Sequence, residues 1–577
     1  MAFGNGFEIT KKLHNRLGGY FLMKNGKRVY LFIILLILIS TATYIYVTMF
    51  MPSSKRVDHS TYYGVKDKQV AIIYNDGLQK ASAIEQDKEV YLPYDWAVAI
   101  LNDKLFWDSE ENLLVYTLPE EIIYMDENYI SDGKKAFIKS DNSAYVSASL
   151  IKKYTNVNLR SFTDSDIRKI YIYDNSVSLV SARLKKKSKL RSGETIKADI
   201  VADLDKEESV YILGSSVTDS DLTGKNKKWL KAYTDKGDWG YVKVSALENM
   251  DYVVNISEFV KPTYTSISFG EPVVLGWHQV SNMDANKNME SLVARTSGMN
   301  VISPTWFSLS DNEGNYTSYA SRDYVTKAHE MGLQVWGLVD NLSKKVSTVK
   351  LLKKSSVRKL LIEKLINDAI TYNLDGINLD FEGLNAEGAK YYIQFIRELS
   401  VYTRKNKIIL SIDNPSYAAY NKFYARDKQA EVADYIINMG YDEHYSGSDK
   451  GSVASISFVK SAIEDSLKEV PREKLINAVP VYTRLWKEEG GKLSSQALGI
   501  EASLKWVLEN NLSTEWKEDI GQNYAELISS GESYYMWIED EKSMELKMNL
   551  IKENSLAGVA VWRLGLEPGS IWSIIKY

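Results

Sequence analysis

There is no cysteine anywhere in the 577 residues. That absence removes disulfide frameworks, zinc–cysteine sites and thiol nucleophiles together, and leaves the redox compartment unreadable. Histidine is scarce too, five in all; only His278 and His444 fall near the motifs described below, so no multi-histidine metal site and no cofactor is expected. An excess of basic charge is also missing. Lys and Arg number 71 against 75 Asp and Glu, a formal charge of −4, and no basic stripe follows the apolar segment near the N-terminus. Without such a field to grip phosphates, nucleic acid is not an expected partner.

Charge is absent altogether from Val29 to Phe50, VYLFIILLILISTATYIYVTMF, a run long enough as a helix to cross a bilayer. Lys11, Lys12, Arg16, Lys24, Lys27 and Arg28 precede it against a single Glu8. The positive-inside bias therefore predicts a cytoplasmic tail over 1–28, a single-pass anchor over 29–50, and everything later outside the cell membrane. A cleaved signal peptide ending at Ser40-Thr41-Ala42 is the alternative, but the apolar run continues past Ala42 and the basic region is long. Either way the remainder is exported.

What the sequence does contain is ordinary globular composition, 45% hydrophobic and 25% charged, at a length that suggests three or four domains of roughly 150 residues. Over 64–176 a pattern repeats: Tyr91-Leu92-Pro93, a helix-like stretch and the runs Leu105–Asp108 and Leu113–Leu118 are echoed by Tyr145-Val146-Ser147, Leu150-Ile151 and Ile170–Tyr173. Each copy reads strand, helix, hairpin. The segment resembles the copper amine oxidase N-terminal-like domain, an α+β module, although only His59 lies near its start and no metal-ligand cluster accompanies it. Over 181–247 short strands with turn signals follow, among them Ser188–Gly193, Val210–Gly214, Trp229–Lys231 and Trp239–Val242. This stretch resembles a small bacterial Src-homology-3-like β-barrel, whose relatives often bind peptidoglycan; Trp229, Trp239 and Tyr241 can equally be core of a spacer.

From 270 to 577 strand-like and helix-like runs alternate. Val273–His278, Asn300–Phe307, Leu333–Val339, Gly376–Glu382, Ile408–Asp413, Tyr435–Tyr441, Ile476–Tyr482 and Gly558–Arg563 read as strands, and Arg322–Met331, Val357–Thr371 and Glu387–Arg404 as amphipathic helices. This is the pattern of an α/β (β/α)8 TIM barrel. In the fourth strand the two-residue period sends Ile377, Leu379 and Phe381 one way, and Asn378, Asp380 and Glu382 the other. Polar side chains facing a barrel interior find solvent only at the C-terminal mouth, where such barrels do their chemistry.

Asp375-Gly376-Ile377-Asn378-Leu379-Asp380-Phe381-Glu382 is similar to the family 18 glycoside hydrolase signature DGxDxDxE, with Asn378 in place of the middle aspartate. Met439-Gly440-Tyr441-Asp442 resembles the family's M-x-Y-D, and Trp562 stands where its sugar-stacking tryptophan does. Trp306 and Phe307 after Ser303-Pro304, and Trp562-Arg563-Leu564-Gly565, resemble the spore and cell-wall branch. The resemblance implies an acid, Glu382, and a reaction in which the 2-acetamido group of an N-acetylhexosamine attacks C1 with retention. By the same resemblance Asp380 orients that group, Tyr441 holds its oxygen, and Asp375, Asn378, Asp442 and Trp562 belong to the substrate site. The implied partner is a polysaccharide, peptidoglycan or a chitin-like glycan. Glu443, His444, Tyr417, Tyr482 and Trp486 are placed to line a groove without an assigned role. A catalytically silent glycan-binding lectin is the alternative from another class, and Glu382 argues against it. A metal-dependent deacetylase would need a histidine and aspartate cluster that the sequence does not offer.

Overall fold

The computed structural model describes residues 6–577 except 67, 141, 176–178, 214–217 and 254–258, with side chains described from residue 28 onward. Residues 1–5 of the basic tail, Ser176 and Gly214 therefore lie outside the described residues. The chain divides into two compact units, one of 1–102 with 130–260, the other of 103–129 with 261–577.

In the first unit, Arg28–Met49 is the apolar, fully exposed part of a helix spanning Gly6–Met49, long enough to cross a membrane. A seven-stranded sheet carries the strand Glu89–Pro93 followed by the helix Tyr94–Ile100, and the strand Ser143–Ser147 followed by the helix Ala148–Tyr154. The hairpin Val157–Phe162 and Arg168–Asp174 completes the second copy within that sheet. A second, antiparallel seven-stranded sheet covers Leu179 to Val253 around Val180, Leu190, Val210, Leu230 and Val242. Its tryptophans 229 and 239 are only half-buried.

The second unit is built on eight parallel strands: β1 (Val273–His278), β2 (Val301–Pro304), β3 (Gln334–Asp340), β4 (Gly376–Asp380), β5 (Ile409–Pro415), β6 (Tyr435–Met439), β7 (Leu475–Pro480) and β8 (Gly558–Trp562). Each pairs with its successor, and β1 pairs with β8, which closes the barrel. Alternation sorts the side chains. Val273, Leu275, Trp336, Leu338, Ile409, Ile437, Ile476 and Ala560 pack inside, while Ile377, Leu379 and Phe381 pack outward among the helices. Phe381 stacks on Tyr392 at 4.9 Å. Gly376 has to be glycine, because a Cβ there would sit 2.7 Å from the Trp336 ring.

Two helices flank β4: α1 (Ser355–Tyr372) and α2 (Ala386–Asn406). Each ends on a left-handed cap, Asn373 and Lys407, which frees the chain to turn into the next strand. Onto them folds a three-stranded sheet from far upstream, Leu105–Asp108, Leu113–Thr117 and Ile122–Met125. It is the hairpin of the first sequence repeat, grouped here with the barrel. The buried Asp108 carboxylate accepts the Ser355 backbone N–H at 2.6 Å, satisfying an orphan donor at the start of α1. Phe106 lies under the Arg358 guanidinium at 4.6 Å.

Between β7 and β8 the strand–helix alternation expected from the sequence breaks. A five-stranded antiparallel sheet from Tyr482 to Ile538, with the helix Ile500–Glu509, is inserted there. Its strand Lys492–Gly499 is largely exposed, so its pattern is not that of a strand buried on both faces.

Candidate active site

On several of the eight strands the inward residues near the C-terminal mouth are polar or tryptophan: Trp277 on β1, Asp340 on β3, Asn378 and Asp380 on β4, Ser411 and Asp413 on β5, and Trp562 on β8. Above them opens a cavity of about 600 Å³ lined by Trp277, Asp380, Glu382, Asp413, Tyr441, Asp442, Glu443 and Trp562, with Tyr417, Tyr420, Tyr445 and Phe458 at its sides.

Asn378 lies beneath this cavity, fully buried. The Trp277 indole can only donate, so the contact at 2.9 Å identifies the Asn378 oxygen, which also accepts from Ser303 Oγ at 3.1 Å. Its Nδ2 then donates to Ser411 Oγ at 3.0 Å and to Asp413 Oδ1 at 2.7 Å. Every hydrogen-bonding position of the amide is taken, so Asn378 supports the floor and does not reach a ligand. Asp375 is further away still. It precedes β4 at the opposite end of the barrel, where its Oδ2 accepts from His329 Nε2 and the Val335 N–H, both at 2.8 Å. The substrate-site role implied for these two does not match their placement. Asp375 and Glu382, the ends of the motif, are seven residue steps apart along extended chain, at about 3.3 Å each, so a signature continuous in sequence is not all at the mouth.

Asp380 is buried, and its Oδ1 has no hydrogen-bond partner. Burial, then Asp413, Glu382 and Asp340, holds its carboxyl well above the usual range. Glu382 stands at the lip. The cavity walls desolvate its carboxyl, and Asp442 and Asp340 add like charge, so it too is pushed up and favours the protonated form. Its backbone is clamped by Asn341, which accepts the Glu382 N–H at 2.8 Å and donates to its carbonyl at 2.9 Å.

Tyr441 lines the cavity edge-on to Tyr482, with ring centroids 6.4 Å apart. Asp442 holds a left-handed backbone, φ 59°, and accepts the Tyr482 hydroxyl at 2.5 Å. Trp562 meets Trp277 edge-to-face at 5.8 Å, and its peptide bond to Arg563 is cis. Of the remaining groove candidates, Tyr417 and Glu443 line the cavity. Trp486 is buried, donating to the Gly451 carbonyl, and His444 Nδ1 contacts the Asp449 carbonyl. Asp413, Trp277, Asp340 and Asn341 are functional candidates that motif reading passes over.

Residues 308–567 match the model of Glycosyl hydrolases family 18. The barrel is a family 18 glycoside hydrolase domain. Among similar proteins are an uncharacterized glycosylase, YvbX, of Bacillus subtilis, 27% identical over 48% of this chain and 84% of its own, and the cortical fragment-lytic enzyme of the same organism, 27% identical over 39% of this chain and 54% of its own. The chain thus spans little more than half of that second relative. The spore cortex-lytic enzyme SleL of Bacillus megaterium superposes with a TM-score of 0.48 at 18% identity, over 56% of this chain and 79% of that one. The glycosidase chemistry expected of the signature therefore stands on a family 18 domain with Glu382 at the mouth of its barrel.

Proposed function

We propose that the chain is a membrane-anchored, outward-facing hydrolase of β-linked N-acetylhexosamine glycans of the cell wall, acting by substrate-assisted retaining catalysis. The observation that carries this is Glu382, a carboxyl pushed toward its protonated form at the mouth of a cavity with an aromatic floor. A general acid needs that protonation state at working pH. Asp380, one strand period deeper on the cavity wall, is suited to receive an acetamido N–H and to counter positive charge at C1. Tyr441 would hold the acetamido oxygen, and Trp562 with Trp277 would form the apolar floor under the sugar. Asp442 acts on Glu382 by charge. The name of the cortical fragment-lytic relative favours a wall polymer, with peptidoglycan and a chitin-like glycan both open.

The deciding experiment compares a wall glycan with the same glycan chemically de-N-acetylated. An acetamido nucleophile requires that the second be bound and left uncut, and that the first product carry the retained β configuration. Efficient cleavage of the de-N-acetylated glycan would end this reading. For the anchor, protease added to intact cells should remove the barrel and spare the basic tail; a protected barrel would reverse the orientation.

A further inference from the structure

The row of carboxyls across the barrel mouth is unequal. Asp340 pairs in register with Asp380. On the other side Asn378 pairs with Ser411 and Leu379 with Ile412, so the next inward pair at the same level is Asp380 and Asp413. Adjacent strands lie about 4.8 Å apart. Asp340 has donors on both oxygens, its Oδ2 accepting from Ser308 Oγ at 2.6 Å and its Oδ1 from the Leu342 N–H at 3.1 Å. Asp413 Oδ1 accepts from Asn378 at 2.7 Å, which leaves Oδ2 to carry a proton. Asp380 Oδ1, buried and unpartnered, lacks one donor.

We propose that Asp413 is the positioning residue of Asp380: its carboxylic acid shares a single proton with Asp380 Oδ1, doing from β5 what a second carboxyl on β4 would do where this chain has Asn378. This rests on the hydrolase reading for its consequence, not for its geometry. The groups facing the pair are Asp340 from β3, Glu382 beyond β4, Tyr441 and Asp442 beyond β6, the buried, unpartnered Tyr392 hydroxyl of α2, and Tyr424. Among the described residues lining the cavity there is no lysine, arginine or histidine to neutralise two anions. Both carboxyls are pushed up, burial first in each; at Asp413 the Asn378 bond pulls the other way. With the proton on Asp413 Oδ2 donated to Asp380 Oδ1, Asp380 stays anionic, and its second oxygen is left for the substrate N–H. No net proton is gained or lost by the pair when Glu382 gives up its own.

The test uses the full chain in detergent, with the infrared carbonyl band of a protonated carboxyl and the pH profile of glycan cleavage as readouts. At neutral pH the wild-type-minus-variant difference spectrum should show one such band lost in Asp413→Asn and the same band lost in Asp380→Asn, over the bands of Glu382 and the other buried acids that both variants keep. Asp413→Asn should lower kcat at least tenfold with KM within about twofold. The swap Asn378→Asp with Asp413→Asn keeps the cross-strand hydrogen bond and returns a carboxyl to the pair, so it should restore the band and most of kcat. A band that persists in Asp380→Asn, an unchanged pH profile in Asp413→Asn, or a swap that binds glycan without recovering turnover would each overturn the proposal. If the wild type cuts no glycan while the band behaves as described, the hydrolase reading falls and the shared proton stands.

Discussion

Asp442 acts on Glu382 through charge across the cavity mouth. Burial and the Asp442 charge both disfavour ionised Glu382. In Asp442→Asn the like charge is gone, the Glu382 carboxyl falls toward its ordinary value, and the acid loses its proton at lower pH. The alkaline limb of the pH–rate profile should therefore move down in pH, with the acid limb less affected; a limb that stays or rises would show that Asp442 does not act by charge. Glu382→Gln removes the donated proton altogether and should cost about 10² to 10⁴ in kcat while glycan binding survives. Isothermal titration beside turnover separates this from a lectin, which has no turnover to lose.

At the level of elements, β4 was legible because its two faces differ so sharply: Ile377, Leu379 and Phe381 needed helices, and Asn378 and Asp380 needed the mouth. Asp413, Asp340 and Trp277 obey the same period but stand in runs that are mostly apolar, IILSID, QVWGLVD and VVLGW, whose other polar residues, Ser411 and Gln334, are uncharged. No second polar residue in them announces a site as Asn378, Asp380 and Glu382 do together. The usable signal was an inward position near the C-terminal end of each of these strands. The inserted sheet was not legible at all, since its half-exposed strands share no pattern with the barrel. Nor did any periodicity reveal the pair of Arg358 on α1 and Glu398 on α2, fully buried at 2.8 Å and joined by Gln394. Removing one charge leaves the other stranded. Glu398→Gln should lower unfolding free energy by about 3–5 kcal/mol, read from urea midpoints, with the double replacement by apolar residues costing much less.

On the scale of the whole molecule, the cavity's charge constrains its polymer. Asp380, Glu382, Asp413, Asp442 and Glu443 line it without a cation among the described residues, so even with protons held by Glu382 and Asp413 an acidic sugar meets like charge at low effective dielectric. Uncharged N-acetylhexosamine chains should be cut at least tenfold more efficiently in kcat/KM than chains bearing free lactyl carboxylates, and methyl esterification of those carboxylates should recover most of the difference. Added salt should narrow the gap. Equal rates on both would mean the carboxyls do not face the sugar substituents.

The boundary of the catalytic unit is also set by contacts and not by the motif. A fragment starting at 261 contains every barrel strand, yet it lacks the sheet at 105–125 that the barrel uses as part of its own wall. Without Asp108 the Ser355 N–H loses its acceptor, and without Phe106 the buried Arg358 loses the ring that covers it. Lys428 and Arg397 lose Asp103, at 2.5 and 3.2 Å, and Arg404 loses the Pro119 carbonyl at 2.7 Å. Loss of the cap alone is worth about 0.5–2 kcal/mol, and desolvated Arg358 and Arg397 become open to water on one side only. The fragment 261–577 should therefore unfold at lower urea than the chain from residue 57, and Asp108→Ala in the longer chain should reproduce part of that loss without changing KM. Identical midpoints for the two fragments would show that the barrel closes its helical layer unaided and that the upstream sheet merely rests on it.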